Sequence, residues 1–193
     1  MVLYKAAAEI PQILDPARRR FLGKAGLGFA AAMFPQALLA NNFWEQPRTL
    51  WIKRAQTGET VRETYWANGR IVRPGYERIC HVLRDVQAGV TGEMTLRVLD
   101  ILAGTQGYFK AYGQDRLILA TSGLRIKATN GKTEGAAKDS EHTRANACDF
   151  TMEGVTPSYL SKLGLYLQGG GIGLYTAKNF VHVDGGNVRF WQG

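Results

Sequence analysis

Apolar positions along this chain fall into short alternating runs, interrupted by three longer stretches of helical period. Over residues 49–54 and 61–66 apolar and polar side chains alternate and β-branched or aromatic residues recur, with Thr57-Gly58 between them, so the two runs predict a hairpin. Asn68-Gly69 follows and predicts a tight turn, because both residues tolerate positive φ. Pro74 suits the first turn of a helix whose apolar positions Ile79, Cys80, Leu83 and Val86 keep helical spacing, with Gly89 as its stop. A second helix is predicted over 93–112, with Met94, Val98, Leu99 and Leu102 on one face. The apolar run 117–121 ends at Ser122-Gly123, and the polar, glycine-containing segment 128–139 reads as a loop of the kind that edges a groove. A strand over 147–151 places Asp149 on one face and Cys148 on the other. Thr156 as N-cap, Pro157 at the first helical position and Leu160, Leu163 and Leu167 inward predict a third helix, stopped by Gly169. Strands over 171–175, 180–183 and 188–191, with turns at 176–179 and Gly185-Gly186, complete the pattern. The expected fold class is α+β, a small antiparallel sheet flanked by helices.

The first 40 residues stand apart. Arg18-Arg19-Arg20-Phe21-Leu22 looks like a twin-arginine export signal, followed by an uncharged stretch over 25–40 and a helix-breaking Pro35. That stretch is shorter than the ~20 residues a spanning helix needs and carries glycines, so an export signal accounts for it better than a membrane anchor. Residues 1–40 are therefore expected to be the signal, processed near Ala40, residues 41–47 a short linker, and residues 48–193 one domain. The protein is expected to be periplasmic or otherwise extracytoplasmic, with the twin-arginine machinery as a partner.

Composition narrows the classes. The net charge is +8. Residues 1–40 hold five basic and two acidic side chains, a net +3, which leaves +5 for the rest. A moderately basic exported domain suits an anionic cell-wall polymer or is simply a solvated basic surface. Nucleic acid is not expected as a partner, because Lys and Arg are dispersed rather than clustered or interleaved with aromatics. The two cysteines, Cys80 and Cys148, could form a disulfide in an oxidising compartment or stay as two buried thiols, and spacing alone does not choose.

Three histidines are present. His81 falls on the first predicted helix without ligand-like neighbours and reads as an ordinary polar-face or packed histidine. The other two occur in Ser140-Glu141-His142 … Cys148-Asp149 and Phe180-Val181-His182-Val183-Asp184, settings that point to a His142/Asp149/His182 zinc site. Three ligands of imidazole and carboxylate leave a fourth tetrahedral position open, as in catalytic rather than structural zinc. Such a metal generates a nucleophile from water and polarises a carbonyl, so the pattern points to a hydrolase. On the strand carrying His182, residues two apart share a face, so His182 and Asp184 can look into one cleft.

The seven-residue gap between His142 and Asp149 would be weak by itself. Its surroundings strengthen it: Ser122-Gly123-Leu124-Arg125, Ser140-x-His142, Ala147-x-Asp149 and Phe180-Val181-His182-Val183-Asp184 come in one order. With them come Tyr65-Trp66-x-Asn68-Gly69, Leu83-Arg84-Asp85 with Gly89, Gly169 to Tyr175, and Val188-Arg189-Phe190-Trp191. From about Trp51 to Trp191 the chain resembles the zinc-dependent D-Ala-D-Ala peptidase group, and within it the murein endopeptidase K branch. The resemblance implies a hedgehog/D-Ala-D-Ala peptidase-like fold and an exported zinc metallopeptidase that hydrolyses amide bonds in peptidoglycan stem peptides or cross-links, with zinc as cofactor. It implies that Arg125 holds a substrate carboxylate or stabilises the oxyanion; the structural alternative is a surface salt bridge. Ser140 would hydrogen-bond substrate or cap the turn into His142. Tyr175, Phe180 and Trp191 are expected in the core.

The chain departs from that group in two places. Many relatives carry a Glu or Asp three residues before the last histidine as general base, where this sequence has Asn179, an amide that cannot accept a proton. Asp184 is the nearest substitute proton acceptor; its alternatives are a partner orienting a ligand imidazole or a turn residue. Glu141 and Glu153 are further carboxylates that sequence adjacency does not place in the site. Ala145 stands where a glycine is often seen. The missing base also admits a second reading, a catalytically silent zinc-containing cell-wall binding module.

Overall fold

A computed structural model describes residues 44–193; the expected export signal and residues 41–43 of the expected linker lie outside the described residues. Strands β1 (Arg48–Arg54) and β2 (Thr60–Ala67) form the expected hairpin, with Ile52 opposite Val61. Leu50 and Ile52 are buried while Thr49 and Lys53 face solvent, the period-two pattern of a half-buried strand. Asn68 and Gly69 take φ of 53° and 73°, and the chain doubles back as β3 (Arg70–Ile71).

Helix α1 (Arg73–Val82) has Pro74 in its first turn. It ends several residues before Gly89. The reason is Asp85, whose buried carboxylate accepts from the Ala88 N–H at 3.1 Å and the Ile126 N–H at 2.9 Å, while its backbone bridges to Val90. Helix α2 (Leu96–Ala111) starts later than the apolar pattern suggests, because the Thr95 hydroxyl caps the Val98 N–H. After β4 (Ile118–Ser122) the segment expected to be a loop contains helix α3 (Lys127–Lys132). A one-turn 3-10 helix (Glu141–Arg144) leads into β5 (Ala147–Thr151). Helix α4 (Pro157–Leu167) begins as expected, with Thr156 accepting from the Tyr159 N–H at 3.2 Å; its left-handed stop falls on Gln168 instead of Gly169. Strands β6 (Gly171–Tyr175), β7 (Phe180–Asp184) and β8 (Arg189–Gln192) follow.

The class is mixed α/β with four helices among the described residues, but the sheet is neither small nor wholly antiparallel. Eight strands run in the order β3-β2-β1-β4-β5-β7-β6-β8. β1 and β4 are parallel because two helices intervene and return the chain in the same direction, and β8 lies parallel to β6 on the far side of the β6–β7 hairpin. Helices α1, α2 and α4 cover one face of the sheet and share a single core with it, in which Ile79, Leu99, Phe150, Leu163 and Val181 are almost wholly enclosed, whereas α3 borders the cleft. Asp100 of α2, also buried, accepts from Tyr65 and Arg48 at 2.6 Å each and ties that helix to the first hairpin. Cys80 and Cys148 are both buried free thiols. No helix among the described residues is long and apolar enough to cross a membrane.

Candidate metal centre

The site is built on the sheet face turned away from that core. On β7, Val181 and Val183 point into the core, so His182 and Asp184 share the opposite face; on β5, Cys148 and Phe150 point inward and Asp149 does not. Asp149 and His182 are directly paired in the β5–β7 register. His142 comes from the 3-10 turn, which Ser140 caps by accepting the His142 N–H at 3.3 Å. Ala145 closes that turn at φ 54°, which explains why glycine suits the position: an alanine there bears roughly 1–2 kcal/mol of left-handed strain.

The three side chains converge. His142 Nε2 lies 3.2 Å from Asp149 Oδ1 and 3.2 Å from His182 Nδ1, and His182 Nδ1 lies 2.8 Å from Asp149 Oδ1. The outer nitrogens fix the tautomers. His142 Nδ1 donates to the Gly123 carbonyl at 2.6 Å, which leaves its Nε2 bare toward the centre. His182 Nε2 donates to Asp184 Oδ2 at 3.0 Å, which leaves Nδ1 as the inward atom. Tetrahedral donors about 2.0–2.1 Å from a zinc ion stand roughly 3.3 Å apart, so this nitrogen, nitrogen and oxygen set fits one. Among the described residues these three form a group able to hold a metal ion.

The electrostatics favour a cation here. Burial opposes ionisation of Asp149, yet His142 and His182 hold its carboxyl well below the usual range. Burial opposes a positive His182, yet Asp149 and Asp184 outweigh it and raise its pKa. Burial depresses His142, with Asp149 offsetting only part of the effect.

Asp184 sits behind His182 and is fully enclosed. Its Oδ2 accepts from His182 and from Arg189 Nη2 at 2.7 Å, and its Oδ1 from the N–H groups of Gly186 at 2.8 Å and Gly171 at 3.2 Å and from Arg189 Nη1 at 3.1 Å. Burial acts against the charge, but these donors bring its pKa down to about 2. Asn179 lies exposed in the β6–β7 turn at φ 54°.

An open cleft of about 810 Å³ surrounds the three converging side chains. Arg125 and Ser140 line it. The Arg125 Nη1 is 3.9 Å from Asp149 Oδ2, and its Nε is buried without a hydrogen-bond partner. Glu141 also lines the cleft, its carboxylate engaged by Arg144 at 3.1 Å and Asn146 at 2.8 Å, whereas Glu153 does not. His81 lies exposed on α1, 3.5 Å from Glu59 and outside the cleft.

Tyr175, Phe180 and Trp191 are not in the core. They wall the cleft, with Tyr175 and Phe180 stacked at 4.6 Å and Trp191 5.2 Å from the His182 ring. Gly173 makes this possible, since a side chain there would strike the Trp191 indole. Two further arginines belong to the site: Arg54, which lines the cleft, and Arg189, which braces Asp184. Arg54 carried a signal: it occupies the inward position of the Leu50, Ile52, Arg54 alternation, where a cation is out of place.

A family model described as peptidoglycan L,D-endopeptidase MepK, of the Peptidase_M15_2 family, matches residues 43–191. The chain belongs to this MepK metallopeptidase family. It is 30% identical over 181 residues to peptidoglycan L,D-endopeptidase MepK of Escherichia coli K12, covering 92% of this chain and 98% of that protein. It is 25% identical over 184 residues to the probable peptidoglycan L,D-endopeptidase MepK of Haemophilus influenzae, covering 93% and 98%. No solved structure matches. All the ligand candidates of this MepK family member, with Arg125 and Asp184, fall inside the matched span.

Proposed function

We propose that this chain is an exported zinc endopeptidase that hydrolyses amide bonds in peptidoglycan cross-links, with residues 1–40 as its twin-arginine signal and residues 48–193 as its catalytic domain. The observation that carries this reading is the convergence of His142 Nε2, Asp149 Oδ1 and His182 Nδ1 at the floor of a cleft that Arg125 also lines. The MepK relatives are named as L,D-endopeptidases of peptidoglycan, and that bond class is carried over to this chain.

Zinc held by the three side chains would supply Lewis-acid polarisation of the scissile carbonyl and activation of the attacking water. The protein's part is orientation and fixed charge. The Gly123 carbonyl and the Asp184 carboxylate each hold one outer imidazole nitrogen, so both rings are locked in the ligating tautomer. Arg125 brings a permanent cation to the cleft wall, where charge develops on the carbonyl oxygen as the amide is attacked. Ser140 caps the turn that presents His142 and lies at the cleft surface within reach of a peptide. For Asp184 the enclosure of both oxygens supports the positioning role over that of proton acceptor.

Purified protein is expected to carry one zinc per chain, to release peptides from cross-linked muropeptides, and to lose that activity on chelation and regain it with zinc. The His142→Ala variant should lose both metal and activity. If zinc-replete wild type binds peptidoglycan and cleaves no peptide bond in it, the binding-module reading replaces this one.

A further inference from the structure

Arg54 is the last residue of β1 and shares the inward face of that strand with Leu50 and Ile52, at the point where the core opens into the cleft. Its side chain is 3% exposed. Neither Nε nor Nη1 has a hydrogen-bond partner, and no carboxylate among the described residues forms an ion pair with it. Asp85 and Asp149 act on it only from beyond ion-pair distance and make their hydrogen bonds elsewhere. Asp85 spends one oxygen on the Ala88 N–H and the other on the Ile126 N–H, and Asp149 serves the two histidines. Arg84, a second nearby cation, pairs instead with Glu59 at 2.9 Å. Burial pulls the Arg54 pKa down, and the charges of Asp85 and Asp149 restore only part of it, yet a guanidinium stays protonated in any protein setting.

A buried arginine without a counter-ion is costly to the folded protein, and a chain that keeps one at a cleft leaves its charge for a ligand. The strand register sets where it stands. Arg54 pairs with Ala120 and Ala120 with Phe150, all three on the core face, whereas Asp149 faces the other way, so the cation enters the cleft from the end of β1, two strands from the strand that carries Asp149. Arg125, also lining the cleft with a buried unpartnered Nε, stands nearer to Asp149.

We infer that Arg54 anchors a free carboxylate of the peptide substrate at the cleft wall and leaves Arg125 to the reacting carbonyl. This rests on the peptidase reading. The planar fork of a guanidinium matches a carboxylate bidentately, and the anchor fixes the register in which the peptide crosses the metal centre.

The test uses the full-length zinc-loaded protein, a cross-linked muropeptide with free carboxylates, and the same muropeptide with those carboxylates amidated. Wild type should prefer the free acid through a lower KM. Arg54→Gln should raise KM for the free acid roughly ten- to hundredfold, with little change in kcat, and erase most of the preference. Arg54→Lys should recover part of it. Because the arginine has no protein partner, Arg54→Gln should keep or raise Tm, whereas a structural cation would lower it. Equal losses on both substrates, or equal wild-type KM for acid and amide, overturn the anchor; the wild-type comparison holds even if the glutamine variant fails to fold. Should wild type cleave neither substrate, the peptidase reading fails, and calorimetric binding of the two muropeptides to wild type decides the anchor alone: tighter binding of the free acid upholds it and equal binding overturns it.

Discussion

Asp184→Asn keeps the size of the side chain while removing its charge and one acceptor, so it separates two roles that sequence cannot. A residue that orients His182 acts through metal affinity, which should fall about 10–100-fold, with turnover recovered at saturating zinc. A proton acceptor would leave affinity alone and lower turnover by a factor of about 10²–10⁴ at any zinc concentration. The enclosure of both Asp184 oxygens leads to the first outcome, read by competitive zinc titration beside a zinc-dependent rate curve. Arg125→Ala should do the reverse, retaining metal and losing about 10²–10³ in kcat, the usual effect of removing charge from a developing oxyanion. Unchanged turnover in that variant would remove Arg125 from the reacting centre. At this scale the converging side chains were legible because the chain has only three histidines and two lie close in sequence to carboxylates, His142 beside Glu141 and His182 two residues from Asp184. Arg189 was not, since nothing local marks a residue whose partner lies across a glycine turn.

The end of β4 does double service. Gly123 gives its carbonyl to His142 and packs so closely on α1's exit that a Cβ there would collide with the backbone carbonyl of Leu83. Gly123→Ala should therefore cost about 1–3 kcal/mol of stability through overpacking and weaken zinc binding by displacing the carbonyl. Urea unfolding and zinc titration of the same preparation check both; a stability loss with unaltered affinity would show that the carbonyl does not set the His142 tautomer. Local signals account for what could be read of the elements. Alternation, Asn68-Gly69 and the Thr156-Pro157 start act within a few residues and gave the hairpin, the turn and the last helix. Asp85 ended α1 through a partner forty-one residues away, Ile126, a contact that helical spacing cannot register.

Across the whole molecule, the parallel pairings were out of reach for the same reason: β1 meets β4 only after the intervening helices have folded back. The aromatic wall was misassigned because hydrophobicity reports burial tendency, whereas the face each strand shows to the helices is fixed by the assembled sheet. Export acts on the same assembled unit, since the twin-arginine route is proposed to carry an already folded, metal-loaded domain. Replacing Arg18 and Arg19 together by lysine should strand the precursor in the cytoplasm. Fractionation and immunoblotting measure this, and undiminished delivery would leave a general secretory signal in its place.

The two enclosed thiols give the folded protein an unfolding clock of its own. Burial pushes the Cys80 thiol up to about 11 and the Cys148 thiol upward as well, so neither sulfur offers a thiolate at neutral pH. They lie in one core beneath the sheet, Cys80 on a helix and Cys148 on the strand that carries Asp149. An alkylating reagent can reach them only when those layers separate, so its rate of incorporation counts openings of the domain, and a second probe need not be introduced.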